Sequence, residues 1–210
     1  MRLWTIQGIE IYEQLQREGV AFCTKPSWSE EVNFMDAYHW MADQMRKRIG
    51  EPPMKEIIFP MWAWYQYHSA KSKKPTKSPI NIPQGLSACM EIEIPDHEVL
   101  LSGFVNWHAV LNHCALDNWK VIDKKIDVLE KEAGKRLLFM DYPEDIRKEI
   151  ERSWEAVFDL DRRDKNVGFV HKRNRSIQAT FWMLKQEYII SVVFFKREND
   201  VKKKIDKPCP

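Results

Sequence analysis

Trp62 and Trp64 flank Ala63, so in an extended strand both indoles project from the same side, able to wall a pocket or stack on a flat ring. Core packing uses such rings equally well, and composition leaves the two readings open. Cations gather in two places: Lys71, Lys73, Lys74 and Lys77 among prolines, and Lys172, Arg173 and Arg175 in a basic turn. Mobile cations grip a polyanion by releasing its counterions, so RNA or DNA is one predicted partner, against the plain alternative of a solvated surface loop. His108 and His113 stand five residues apart, a spacing that does not share a helix face, and no metal site is predicted. The GxSxG, HExxH, GxxxxGK[ST] and GxGxxG patterns are all missing from the chain, which removes the common hydrolase, zinc-protease and phosphate-loop classes.

The elements that must position these residues follow from periodicity. Alternation over residues 2–7 predicts a strand, helical spacing of Ile9, Tyr12 and Leu15 a helix, and Gly19 its left-handed end, with a strand over 20–24. Phe34, Ala37, Tyr38, Met41, Ala42 and Met45 form one apolar stripe, the clearest helix, with Ser27 and Glu30 as a capping box and the methionines as core filling. Residues 57–65 read as a strand with a bulge or edge at Pro60, and residues 69–85 as a long basic loop. Ala88, Met90, Ile92 and Ile94 mark a half-buried strand, and a short helical turn is expected at 107–112. Two amphipathic helices follow, one ending at Gly134 and one behind Asp141 and Pro143; a noncatalytic role, with both docking another chain, is a third reading. Residues 177–183 and 188–195 read as two strands of a hairpin turning at 184–187.

Together these elements predict an α+β fold: a mixed, strongly bent sheet with flanking helices, in one globular domain over 1–200 and a polar tail over 201–210. With 44% hydrophobic and 30% charged residues the chain should fold rather than stay disordered. A formal charge of +2 excludes the one-sided field of a protein that coats DNA, so any nucleic-acid contact is local. Cys23, Cys89, Cys114 and Cys209 are scattered without a CxxC pair, and a reducing cytoplasm is the expected location. No apolar run reaches the roughly 18 residues that cross a bilayer, so no membrane association is expected.

Four segments, LWTIQ from Leu3, the F-x-x-A-Y-x-W-M-x-x-Q-M-x-x-R pattern from Phe34, PMWAW from Pro60 and IPDHEVLLSGFVNWHAVLN from Ile94, resemble a bacterial family known as domain of unknown function 3841. The resemblance returns at IQATFW from Ile177. A second likeness is to ADP-ribosyltransferase-type domains, carried by the strand, helix and glycine of residues 3–19 and by QATFWMLKQEYIISVVFF near the end. That likeness implies NAD or a related nucleotide as ligand, in a toxin or defence effector. It implies contacts from Thr5 and Gln7 to the ribose or nicotinamide amide, Tyr38 stacked on the ring, and Trp62 in the cleft wall, with Trp64 on the same strand face. Such enzymes begin a late strand with Gln/Glu-x-Glu, whose second acid offsets the positive charge that grows on the ribose. Here the triplet is Gln178-Ala179-Thr180, so Thr180 stands in the acid's place and Glu187 is the substitute if its loop folds back. Glu91 and Glu93 are the other carboxylates that the likeness leaves available.

Overall fold

The computed structural model describes residues 1–24, 34–68, 74–75, 85–161 and 175–197. β1 (Arg2–Gly8) runs into α1 (Ile9–Glu18), which stops at Gly19, whose φ of 74° supplies the left-handed cap and whose N–H donates to the Leu15 carbonyl. Next come β2 (Val20–Phe22), α2 (Met35–Ile49), β3 (Met61–Gln66), β4 (Gly85–Glu93), β5 (Leu100–Gly103) and α3 (Phe104–Leu111). The chain continues with α4 (Trp119–Ala133), α5 (Glu144–Ser153), a 3₁₀ turn at Trp154–Phe158, then β6 (Ile177–Phe181), β7 (Met183–Lys185) and β8 (Ile189–Arg197).

Six strands form one sheet in the order β5-β6-β3-β1-β4-β8, and β2 pairs with β7 in a separate two-stranded ribbon. The α+β class is as expected. The sheet expected to be mixed is antiparallel in every pairing between the named strands. Its ladder is interrupted by register shifts at Trp64/Gln66 and Glu91/Ile92.

The alternation of β1, β3, β4 and β6 sorts side chains between two cores. On one face Leu3, Ala63, Met90, Ile92, Ala179 and Phe181 pack beneath Leu15 of α1. On the other lies the helical layer, where Ala37, Tyr38, Met41 and Met45 of α2 meet Trp107, Ile122, Ile150 and Trp154, with Trp62 packed against them. Met41 and Met45 are fully buried, the packing role their spacing predicts.

Three local expectations are corrected. The strand expected over 57–65 begins only at Met61: Pro60, which has no N–H to give a ladder, precedes it, and the irregularity falls at Trp64/Gln66 instead. The carboxy-terminal hairpin does not form. β6 pairs with β3 and β5 while β8 pairs with β4, because the chain turns at Trp182, whose indole enters the helical core and donates to the Gly50 carbonyl at 2.9 Å, and β7 then joins β2. Leu184, placed in a turn from sequence, is a fully buried strand residue. The expected Ser27/Glu30 cap lies outside the described residues.

Candidate functional site

Register places one row of side chains across all six strands on the helical face: Ser191, Glu91, Trp4, Trp64, Gln178 and Ser102. The adjoining row holds Trp62, Thr180 and Leu100. Where these rows cross β3, β6 and β5 lies a concentration of unmet polar groups: the Trp62 indole Nε1, the Gln178 Oε1 and the Ser102 Oγ are all buried with no hydrogen-bond partner among the described residues. Packed rings stand on the same strand and the helix that follows β5. Trp64 packs against Phe104 and Tyr67, each at 5.0 Å between centroids, and Trp62 against Trp107 at 4.9 Å. An unsatisfied buried donor or acceptor costs about 1–3 kcal/mol, and native chains carry few of them, so three on neighbouring strands call for an explanation. Chemically they offer a carbonyl acceptor, an indole donor and a hydroxyl that serves as either.

The structure divides the residues that the resemblance grouped. Tyr38, Trp62, Trp64, Gln178 and Thr180 share the helical face. Thr5 and Gln7 project to the opposite face with Leu3, Ala88, Met90 and Ile92, and so do not join the others in one cleft. The reason is visible in β1 and β3, whose register pairs only Trp4 with Trp64. Beyond that pair the Thr5 hydroxyl donates to the Trp62 carbonyl at 2.8 Å and accepts from Gln7 Nε2 at 2.7 Å, ties that hold the strand edges together. Tyr38 lies 5.7 Å from Trp62 and 5.4 Å from Trp107, both edge-on, and burial drives its phenol pKa well above the ordinary range. Its ring thus fills the layer between the sheet and α2.

Thr180 is fully buried and its hydroxyl donates to the Leu100 carbonyl at 3.2 Å. Glu187 lies exposed in the 3₁₀ turn Gln186–Tyr188, beside Gly19 and Val20. Glu91 shares the Gln178 row but is separated from it by Trp4 and Trp64, three strand spacings or about 14 Å. It is occupied there by Ser191 and Arg2. Lys74 is exposed; the Arg175 carbonyl accepts from Gln66 Nε2 at 2.6 Å; Lys71, Lys73 and Arg173 lie outside the described residues.

A concavity elsewhere in the helical layer was not foreseen. Between α3, α4, α5 and the 3₁₀ turn at Phe139–Asp141 runs an open cleft of about 830 Å³, floored by His113, Leu116 and Ile150 and walled by Trp119, Phe139 and Tyr142. The His113 ring stacks on Phe139 at 4.3 Å, and burial lowers its pKa, favouring the neutral form. Burial also pushes the Cys114 thiol up, so it faces the cleft as a thiol rather than a thiolate. The i,i+4 acids Asp123 and Asp127 were legible as a pair; that they stand, exposed, along the side of a cleft was not. Ser102 carried no signal in sequence at all.

A family model described as Domain of unknown function (DUF3841) matches residues 2–190. The chain belongs to this family. No curated protein and no solved structure matches it. The DUF3841 match takes in α1 to α5, the unpartnered Trp62, Gln178 and Ser102 atoms of the sheet and the whole cleft, so both features belong to the family's domain. Among the described residues of this DUF3841 chain, no helix is long and apolar enough to cross a membrane, and no group of three or more His, Cys, Asp or Glu side chains is arranged to hold a metal ion.

Proposed function

We propose that this protein binds a nucleotide through the flat, amide- or amine-bearing ring of that ligand, with NAD the leading candidate, and that it binds without transferring a group. The observation that carries this reading is the meeting of the unpartnered Trp62 Nε1, Gln178 Oε1 and Ser102 Oγ on adjacent strands between aromatic walls. A carboxamide or a base edge brings the N–H donors and the acceptor that complement such a set, and its ring stacks where Trp64 and Phe104 stand. Binding shifts the small side-chain rotations needed to reach these atoms in its favour, since each is freed from an unsatisfied state.

Transfer is left out for an electrostatic reason. Thr180 occupies the position of the second acid, its hydroxyl is already bonded to Leu100, and Glu91 is about 14 Å away across the sheet, too far to offset a cation forming beside Gln178. Thr5 and Gln7, on the opposite face, hold β1 to β3 rather than meet the ligand in this reading.

Calorimetric titration with NAD, ADP-ribose and nicotinamide tests it. Wild type binds at least one of them; Gln178→Ala weakens that binding tenfold or more, Thr5→Val leaves it unchanged, and no nicotinamide is released. Silence with all three at millimolar concentration, or indifference to Gln178→Ala, sinks the reading. Single-stranded RNA is the competing ligand: tight binding that grows steeply as salt falls would move the site to nucleic-acid recognition.

A further inference from the structure

The cleft beside α4 sorts charge in a way that folding alone does not require. Asp123, Asp127 and Glu130 line it, while Lys124, Lys125 and Lys131 lie on the rest of the helix surface, with Lys125 paired to Glu149 of α5 at 2.6 Å. Glu130 accepts from the Leu137 N–H at 2.9 Å and so helps fix the turn after α4. Among the described residues Asp123 and Asp127 have no ion pair or hydrogen bond, and like charges at i,i+4 repel. Arg136 also lines the cleft and, among the described ion pairs, is joined to none of these acids. With His113 favoured neutral, the lining is left with more negative than positive charge.

The remaining walls are apolar. Trp119, Ile126, Phe139 and Tyr142 face the hollow, and Leu138 stands 75% exposed at its mouth. Apolar walls with an uncompensated carboxylate pair fit a segment that combines an apolar stripe with cationic side chains, the ammonium or guanidinium groups meeting the acids and the aromatic faces.

We infer that this cleft is a docking site for a basic amphipathic segment of a partner protein, with a lysine or arginine of the partner set against Asp123 and Asp127. The site is separate from the sheet row of Gln178, and neither depends on the other. Net charge does not produce the match, because the whole chain carries a formal +2 and would repel a cationic segment.

The test uses the full chain, a fluorescent leucine–lysine amphipathic helical peptide and its leucine–glutamate counterpart, read by anisotropy at physiological ionic strength. The lysine peptide binds at least tenfold more tightly than the glutamate one. Asp123→Asn with Asp127→Asn removes that preference, whereas the same charge change outside the cleft, Glu56→Gln with Glu132→Gln, keeps it. A second readout locates the occupant: bound peptide slows alkylation of Cys114, which faces the cleft, as followed by mass spectrometry. Equal affinity for the two peptides, undiminished binding by the Asp123/Asp127 variant, or equal protection of Cys114 by free spermidine would each overturn the proposal. So would sedimentation showing a dimer that Leu138→Glu dissolves, since the occupant would then be a second copy of this chain.

Discussion

His113 is the side chain here whose titration carries the clearest consequence. It sits at φ 55°, a left-handed conformation, with its ring stacked on Phe139 and its Nε2 buried and unpartnered. Because burial lowers its pKa, the folded chain binds fewer protons than the unfolded one just below the ordinary histidine value of about 6.5. Stability contributed by the neutral ring is therefore complete above that value and is lost as pH falls through the lowered folded pKa. We expect the urea midpoint of wild type to drop between pH 7 and pH 5, and His113→Asn, whose side chain tolerates the left-handed backbone, to lose part of that drop. An identical pH profile in the two proteins would show that the ring is not desolvated as described. Asp123 acts with the opposite sign, since burial and Asp127 raise its pKa. At this scale Gln178 was legible only through resemblance, and Ser102 and the place of Asp123 beside the cleft were not, because a side chain's surroundings are supplied by segments far away in the chain.

Among the elements, α5 and the 3₁₀ turn that continues it are the keystone of the helical layer. Ile146, Ile150, Trp154 and Val157 all face inward, Ser153 accepts from the Leu116 N–H at 2.9 Å, and the Trp154 indole donates to the Cys114 carbonyl at 3.0 Å. Trp154 also meets Trp40 edge-on at 5.5 Å, linking α5 to α2. Trp154→Ala leaves a large cavity and an unpaired carbonyl, and should cost about 3–5 kcal/mol, read as a lower urea midpoint at unchanged slope. A loss below about 1 kcal/mol would mean the layer closes over the gap, contrary to the packing described. α5 spends its apolar face on this core, whereas α4 keeps only Ile122 among its fully buried residues. Of the two helices read as docking surfaces, α4 is thus the one with a face to spare. The helices were readable because their stripes repeat within a few turns; the carboxy-terminal hairpin was misread because two apolar runs close in sequence give no sign that each has a better partner elsewhere.

Across the whole molecule, β3 and β6 couple the two cores, since Ala63, Ala179 and Phe181 enter one while Trp62 and Trp182 enter the other. Neither layer keeps its packing if the sheet between them opens. We propose on this ground that the described residues form one cooperative unit, and expect tryptophan fluorescence, dominated by the helical layer, and far-ultraviolet dichroism to give superimposable urea transitions. Separated midpoints would divide the chain into independent units.

What the amino-acid order determined by itself was local: the α+β class, the apolar stripes of α1, α2, α4 and α5, the alternation of β1 and β4, and the glycine stops at Gly19 and Gly134, where φ is 74° and 64°. Periodicity and allowed backbone angles act over a few residues, so they survive without knowledge of the rest of the chain. Strand order was decided by the tertiary structure, because any antiparallel edge satisfies the same N–H and C=O groups and only the combined burial of side chains selects one partner. That choice put β3 between β1 and β6, turned Thr5 and Gln178 to opposite faces, and left beside α4 a cleft whose shape and acidic lining the helical stripe alone did not define.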